Sequence, residues 1–220
     1  MQLIADLRAE HEVIEQVLGS LRTYVLARLA GPGDPADAAG FLAFFQRYAG
    51  DFHHNREEEV LFKALIERAE LPADRGPIPA LTGEHHRMGE VLQALDGVLG
   101  GPLATEADRD HLRDLALDYT RSLWRHIDAE NSVMLPESEE RLRRAFVREL
   151  PSRPMTEAER AAREGGLALV ARYPPREDPD LIRGDGCVAC PSYGTTCDGL
   201  EHAWWTEEEW EHRPSRLGGD

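Results

Sequence analysis

Histidines and glutamates occur in this sequence at spacings that place them on the apolar faces of several predicted helices. Six of them form a candidate set: His11, His54, Glu58, His85, His126 and Glu130. Four of the six make two His-x3-Glu pairs, and residues four apart lie one turn from each other on the same face of an α-helix. Because buried imidazoles and carboxylates are unfavourable unless they are paired or bound to a metal, the set predicts a metal site in a helical core.

The donor types indicate which metal such a site would hold. Imidazole suits zinc, copper, iron or nickel, whereas carboxylate oxygens favour harder ions. A mixed set whose carboxylates could bridge two ions points to a pair of non-haem iron ions, with manganese and zinc as alternatives. Helical bundles are known hosts for such dinuclear sites. Any one of these histidines alone would more often be a polar residue at a helix boundary, and it is the whole set that favours a metal.

The second predicted helix offers two choices of ligand pair. His53 and His54 are adjacent, and each has a glutamate four residues later, Glu57 or Glu58. The pairs alone do not choose between them. An apolar stripe of alternating three- and four-residue steps selects His54 and Glu58, and it rests on the two apolar positions that follow, Leu61 and Leu65.

Three further positions test the candidate set. His85 is preferred to His86 because it follows the leucine stripe of its helix, although His86 would have Glu90 as a helical partner. Glu15 follows His11 by four residues and could be a seventh ligand, but such a residue more often orients the imidazole. His111 lies one position off its stripe and is expected at the surface.

Proline- and glycine-rich stretches divide the sequence into long amphipathic segments. Helices are predicted at about residues 2–30, 37–69, 78–99 and 105–135, and Thr105 is a suitable N-cap for the last. Short connections between long helices favour antiparallel neighbours. We therefore predict an all-α fold built on an up-down antiparallel four-helix bundle.

The chain beyond the bundle is predicted to be less regular. Pro136 interrupts the fourth helix, and a short helix is expected over residues 137–149. Thr156 begins a capping-box pattern and Gly165-Gly166 is a stop signal, which together predict a helix over residues 156–164. These signals divide the chain into the bundle (1–136), additional helices (137–171) and an irregular tail (172–220).

The composition excludes several classes of protein. The net charge is −16, from 41 acidic against 25 basic residues, and such a charge repels phosphate backbones and anionic membrane surfaces. We therefore expect neither nucleic-acid nor membrane binding. No apolar run reaches spanning length, and the N-terminus lacks the basic start and apolar middle of a secretory signal. The protein is expected to be cytoplasmic, so its three cysteines are interpreted as thiols or metal ligands.

The predicted tail contains a second candidate site. Cys187, Cys190, Cys197 and His202 have the spacing C-x2-C-x6-C-x4-H, and three sulfurs with one nitrogen could hold a zinc ion. A redox-active CxxC pair is the second interpretation, and simple packing of the cysteines is the third. Large aromatic residues usually bury area, so we expect four of them to dock the tail on the bundle: Tyr193, Trp204, Trp205 and Trp210.

The order of the bundle motifs resembles the hemerythrin-like, or HHE cation-binding, family. The resemblance covers residues 5–140 and rests on Glu10-His11, His54-x-x-x-Glu58-Glu-Val-Leu-Phe62, Glu84-His85, and His126-Ile-x-x-Glu130 followed by Met134-Leu-Pro136. It implies an up-down four-helix bundle that encloses two irons bridged by two carboxylates and an oxygen species.

The sequence departs from the oxygen-carrying members of that family in two ways. Their third helix has two histidines four residues apart, where this chain has His85 with Gly89, or His86 with Glu90. Their last helix has its carboxylate five residues after the histidine, whereas Glu130 follows by four. The pattern resembles the branch that includes bacterial iron–sulfur repair proteins and iron-sensing domains, and loss of one histidine implies more open coordination.

These observations together predict a non-haem di-iron protein that binds and reacts with O2, peroxide or NO. Its activity would be of a peroxidase, oxidase or NO-detoxifying type, with an electron donor that the sequence does not identify. One alternative is an iron or oxygen sensor, or an iron-handling protein, without turnover. Others are a biosynthetic di-iron oxygenase and a purely structural bundle that binds no metal.

Overall fold

The fold is all-helical, as predicted from the sequence. A computed structural model describes residues 1–31, 33–181, 202 and 204–212, and every regular element among them is a helix. Three of the long helices are α1 (Gln2–Ala30), α3 (Pro77–Leu99) and α4 (Glu106–Ala129). Thr105 caps α4 as predicted, because its hydroxyl accepts from the N–H of Asp108 while the Asp108 carboxylate accepts from the N–H of Thr105.

The second long helix, α2 (residues 38–69), changes its pitch along its length. It follows a short 3-10 turn, Pro35–Asp37, and comprises four segments: α-helical Ala38–Ala43, π-helical Phe44–His54, π-helical Glu57–Phe62 and α-helical Lys63–Ala69. π-Helical hydrogen bonds run from residue i to i+5, so each residue advances the chain by a smaller angle than in an α-helix. Such segments are rare in proteins, and those that are found frequently lie at functional sites.

This slower winding keeps every fourth residue of α2 on one buried face. The seven residues of that face are at most 2% exposed: Phe41, Phe45, Ala49, His53, Glu57, Leu61 and Leu65. In a regular α-helix a strict four-residue step would drift around the helix, because one turn takes about 3.6 residues. The core-facing histidine and glutamate of α2 are therefore His53 and Glu57.

The fourth helix does not stop at Pro136. A π-helical turn, Glu130–Met134, joins α4 directly to α5 (Leu135–Arg144). Pro136 occupies the first turn of α5, where a missing N–H and a fixed φ are tolerated. The prediction of an interruption there was wrong, and the following helix ends earlier than predicted.

Helix α6 spans Glu157–Arg172 and is longer than predicted. The capping box at Thr156 is confirmed, since its hydroxyl and the Glu159 carboxylate each accept from the other residue's N–H. The prediction that Gly165 and Gly166 end the helix was wrong. Gly166 instead lets α6 approach α2, since a Cβ there would lie 2.3 Å from the ring of Phe44.

The start of α6 carries an acid-sensitive ion pair. Arg153 donates to both oxygens of the buried Glu159 carboxylate at 2.6 and 2.7 Å, and this contact lowers the pKa of Glu159 from 4.5 to about 2. A pKa depressed by folding contributes stability above about pH 4.5 that is lost as the pH falls toward 2.

We therefore expect Glu159→Gln to lower the free energy of unfolding by about 1–2 kcal/mol at pH 7. The effect is smaller than for a fully buried ion pair because Arg153 is partly exposed. The difference from the unaltered protein should shrink as the pH falls toward 2. Urea unfolding at pH 7 and pH 3 measures both effects. Glu157→Gln, in the same turn but exposed, is the matched control and should change little. A difference that is constant with pH would contradict the assignment.

The buried apolar side chains form two clusters to which all four long helices contribute. The large cluster includes Ile14, Phe45, Met88 and Leu123. The small cluster includes Leu7, Leu61, Leu81 and Met134. Along each helix, most of the residues between the two clusters are polar, and they include most of the predicted metal ligands. The core is therefore apolar at both ends with a polar layer between them.

Two later segments pack on the outside of the helices. Residues 173–181 cross α1 and α4, where buried Asp178 accepts from Arg121 at 2.7 Å and pairs with Arg22 at 3.1 Å. In the predicted irregular tail, residues 204–212 include a short helix, α7 (Glu207–His212). Trp205 is buried, and its ring covers Gly76 at the start of α3. No helix among the described residues has the length and apolar character needed to span a membrane.

Candidate metal centre

Five histidines and two glutamates meet in the polar layer. Two groups of side chains, sharing Glu57, have candidate ligand atoms within 4.8 Å of one another. The first group contains His54, Glu57, His85 and His126. The second contains His11, His53, Glu57 and Glu130. Each of the four long helices supplies at least one histidine, so the layer forms only when all four pack together.

Glu57 lies between the two groups and directs one oxygen toward each. Its Oε1 is 3.4 Å from Nε2 of His53 and 3.6 Å from Nε2 of His11. Its Oε2 is 3.6 Å from Nε2 of His85. This is the arrangement that a carboxylate bridging two cations requires.

Glu130 has a similar position on the other side of the layer. Its Oε2 is 3.2 Å from Nε2 of His11 and 3.3 Å from Nε2 of His126. Those two histidines belong to different groups. The two carboxylates therefore both span the pair of histidine groups.

Several buried side-chain atoms of this layer lack hydrogen-bond partners. In the part of the chain that the structure describes, seven buried side-chain polar atoms have no partner, and six of them are here: His11 Nε2, His54 Nε2, and both carboxylate oxygens of Glu57 and of Glu130. Buried polar atoms are normally satisfied, and isolated buried carboxylates are strongly unfavourable. Cations in the layer would satisfy all of these atoms at once.

The interatomic distances fit shared cations. Nε2 of His85 and Nε2 of His126 are 2.9 Å apart, and the nitrogen–oxygen distances given above reach 3.6 Å. Two ligand atoms that each lie about 2.0–2.1 Å from one ion are separated by about 2.9–3.6 Å when the angle between them is about 90–120°. These are the angles of ordinary octahedral and tetrahedral coordination.

Outer carboxylate and amide groups orient four of the five imidazoles. In each case Nδ1 is bound from outside and Nε2 is directed into the layer. Glu10 contacts His53 at 2.9 Å, Glu58 contacts His85 at 2.6 Å, Glu84 contacts His126 at 2.8 Å and Asn131 contacts His11 at 2.9 Å. Such contacts fix the tautomer and ring orientation of metal-binding histidines.

The support for His53 continues outward through an arginine. Arg56 donates to Glu10 and, at 3.1 Å, to both Asp6 and Ser152. Burial raises the pKa of Glu10 to about 7, although Arg56 acts in the opposite direction. The arginine thus holds the carboxylate that in turn holds the imidazole.

The electrostatics of the layer follow from burial and from the two central carboxylates. Burial alone would lower the pKa of His11 and of His126, but Glu130 and other carboxylates outweigh it and raise each pKa to about 10. Burial dominates at His53 and lowers its pKa to about 4. Burial would raise the pKa of Glu130, but His126 and His11 hold it well below its usual value. Cation binding would therefore displace protons from His11 and His126.

The structure brings together most of the predicted site, with one replacement. His11, His54, His85, His126 and Glu130 all contribute to the two groups. Glu58 does not, because its carboxylate lies outside the layer on Nδ1 of His85, and Glu57 takes the predicted position.

Sequence reasoning also left out His53, which belongs to the second group. The four-residue stripe of α2 is the signal that identifies both His53 and Glu57. With His53 and His54 both present, five imidazoles face the layer. The inference of more open coordination from the missing second histidine of α3 therefore loses its premise.

The other positions weighed from the sequence lie outside both groups. His86 and His111 are exposed, whereas His85 is buried. Glu15 is half-buried and belongs to neither group.

Most of the predicted zinc or redox site in the tail lies outside the described residues. Cys187, Cys190 and Cys197 are not among them, and the same is true of Tyr193. His202 is described, and its exposed ring lies 4.9 Å from that of Trp210.

Comparison with known proteins agrees with the resemblance seen in the sequence. The family model for the hemerythrin HHE cation binding domain matches residues 2–138, a span that contains every residue of the polar layer. The comparisons with curated proteins and with solved structures found no match.

Proposed function

The chain belongs to the hemerythrin HHE cation-binding domain family, and we propose that its polar layer holds two iron ions that bind and react with O2, hydrogen peroxide or NO. The observation that carries this proposal is the position of Glu57. Its two oxygens are directed to different histidine groups, so one carboxylate would bridge two cations. The unpartnered oxygens of Glu130 supply a second bridge on the other side.

The donor set favours iron over the alternatives. Five imidazoles with two carboxylates combine nitrogen ligands, which suit iron and zinc, with oxygen ligands, which suit harder ions. Two histidines with a carboxylate on one cation form a typical non-haem iron arrangement. Bound iron would supply a redox-active Lewis acid within the layer. Manganese or zinc in both positions is the alternative, and metal analysis of the purified protein would distinguish it from iron.

We infer that the four long helices form an up-down antiparallel bundle around this centre. Along α1 and α3 the chain passes from the small apolar cluster through the polar layer to the large one. Along α2 and α4 it passes through the layer in the opposite order. Helices that cross one layer in alternating directions are antiparallel to their neighbours in sequence.

The protein side chains would orient the cations and keep water out. The outer contacts at Nδ1 of His11, His53, His85 and His126 direct Nε2 of each of these four rings inward. The apolar clusters above and below the layer exclude bulk water, which strengthens electrostatic interactions there. Glu57 and Glu130 would offset part of the positive charge of two cations in this low-dielectric setting.

Burial limits the size of any ligand that reaches the centre. The side chains of His11 and Glu57 are fully buried, and Glu130 is buried as well. A groove of 320 Å³ between α2 and α3 is lined by Glu58, Phe62 and Ile78, and Glu58 is the residue whose carboxylate contacts Nδ1 of His85. Molecules of two to four atoms, such as O2, NO and hydrogen peroxide, match this access.

Metal analysis with optical spectroscopy tests the proposal directly. We expect two irons per chain in protein from iron-replete cells, with near-ultraviolet absorption that changes when the reduced protein meets O2, hydrogen peroxide or NO. His126→Ala should lose both the iron and the absorption, while exposed His111→Ala should keep them. Absence of stoichiometric iron, or a spectrum unaffected by all three molecules, would contradict the proposal.

A sensor without turnover is the second candidate, and the position of Trp205 favours it. This tail residue covers Gly76, immediately before the helix that carries His85. A change in cation occupancy at His85 could therefore alter tail docking. Limited proteolysis of the iron-loaded and chelated protein separates the two functions. Tail cleavage that appears only after chelation, without peroxide consumption by the loaded protein, would favour the sensor.

A further inference from the structure

His54 differs from the other four imidazoles of the layer. Its ring is half-buried, its Nε2 is buried without a partner, and none of the described residues binds its Nδ1. The other four rings are each held at Nδ1 by a carboxylate or amide oxygen. Since such outer contacts fix ring orientation, His54 is the ring whose orientation is least constrained.

The orientation of His54 prevents it from sharing a cation with His85 as the rings stand. The two rings are stacked, with centroids 3.9 Å apart and planes inclined by only 9°. A nitrogen lone pair lies in the plane of its imidazole, so a cation bound by both rings must lie close to both planes. Nearly parallel planes at this separation do not meet near the rings. One ring must turn before both can bind the same ion.

His85 is the ring that stays in place. Glu58 holds its Nδ1 at 2.6 Å, and the ring of Phe62 is nearly parallel to that of His85, with centroids 6.3 Å apart and an interplanar angle of 8°. Its Nε2 also lies 2.9 Å from Nε2 of His126, whose ring is inclined to it by 68°. Nε2 of His85 and Nε2 of His126 are therefore already placed to share one cation. His54 is the ring that must rotate.

We propose that His54 is an exchangeable ligand of the cation held by His85 and His126. With the ring stacked, a small molecule would have room to bind the cation. With the ring turned, Nε2 of His54 would bind the cation in its place. The inference rests on the proposed function, because it requires a cation in the first group.

Azide binding to the iron-loaded full-length protein tests this proposal. If, in the iron-loaded protein, Nε2 of His54 binds the cation about nine-tenths of the time, removing the imidazole should strengthen azide binding about tenfold. We expect His54→Ala and His54→Phe to keep two irons per chain and to bind azide about tenfold more tightly, as measured by absorbance titration. The phenylalanine variant keeps a ring against His85 but has no nitrogen, and circular dichroism checks that both variants fold.

Two further variants serve as controls, one expected to have no effect and one expected to lose iron. His86→Ala removes an exposed imidazole next to His85 and should match the unaltered protein. His85→Ala removes a fixed ligand and should lose iron.

The possible outcomes separate this proposal from the function on which it rests. Loss of one iron from both folded His54 variants would make His54 a permanent ligand and overturn the proposal. Unchanged azide affinity with both irons retained would also overturn it, as would an effect of alanine but not of phenylalanine, which would indicate packing alone. An unaltered protein without iron would overturn the proposed function, and this proposal with it.

Discussion

Replacing Glu57 by glutamine should remove both cations from the protein, whereas the same change at Glu58 should leave both in place. Glu57 contributes an oxygen to each histidine group, so neither cation keeps its full ligand set when one oxygen becomes an NH2 group. Glu58 only orients His85 from outside, and loss of such a contact typically weakens metal binding about 10–100-fold without abolishing it. Elemental analysis after gel filtration should therefore give no stoichiometric iron for Glu57→Gln and two irons for Glu58→Gln.

The comparison of adjacent glutamates also tests the winding of α2. Glutamine keeps the volume of the side chain, so a cavity does not explain loss of metal. Glu59→Gln, at an exposed position of the same segment, is the control for general effects of charge. Retention of iron by Glu57→Gln and its loss from Glu58→Gln would place Glu58 in the layer and would contradict the π-helical geometry described here.

The helices and their caps could be predicted from the sequence because their signals are local. Hydrophobic periodicity and proline or glycine breaks place the starts of the four long helices within a residue or two. Thr105 is the predicted N-cap of α4, and Thr156 forms the predicted capping box. His11 and His85 could be assigned to the core because α1 and α3 are regular α-helices without π-helical segments. In those helices the usual periodicity holds.

The ligands on α2 could not be assigned in the same way because they depend on a change of helical pitch. Extrapolation of the stripe through Leu61 with α-helical periodicity selects Glu58 rather than Glu57. Adjacent residues in an α-helix differ by about 100° in direction, so this periodicity makes His53 and His54 alternatives. In the more slowly wound π segment they differ by less, and both reach the layer. Repetition every four residues from Phe41 to Leu65 was visible in the sequence and is the pattern that identifies such a helix.

The helix through Gly166 shows a second limit of local signals. Two adjacent glycines favour the end of a helix, yet α6 continues because Gly166 packs directly against the ring of Phe44. That contact joins residues far apart in the chain. Tertiary packing therefore outweighs the intrinsic cost of glycine in a helix, about 1 kcal/mol each.

Removal of the cations should lower the melting temperature of the protein by about 8–16 °C. Cations that bind the folded chain but not the unfolded one stabilise it by about 4 kcal/mol when their concentration is a thousandfold above Kd. For a domain of this size, 1 kcal/mol corresponds to about 2–4 °C. The physical reason is local, since the two buried carboxylates and the Nε2 atoms of His11 and His54 have no hydrogen-bond partners among the described residues. Thermal unfolding followed by circular dichroism, before and after chelation, measures the shift.

Glu57→Gln separates this stabilisation from other effects of the chelator. The variant has one central carboxylate fewer, so it should neither gain stability from added iron nor lose it on chelation. A chelator that lowers the melting temperature of both proteins equally would be acting elsewhere on the chain. An unaltered protein that loses its iron without a change in melting temperature would mean that water or protons satisfy the layer as well as cations do. That result would contradict the proposal that the carboxylate oxygens of Glu57 and Glu130 bind metal.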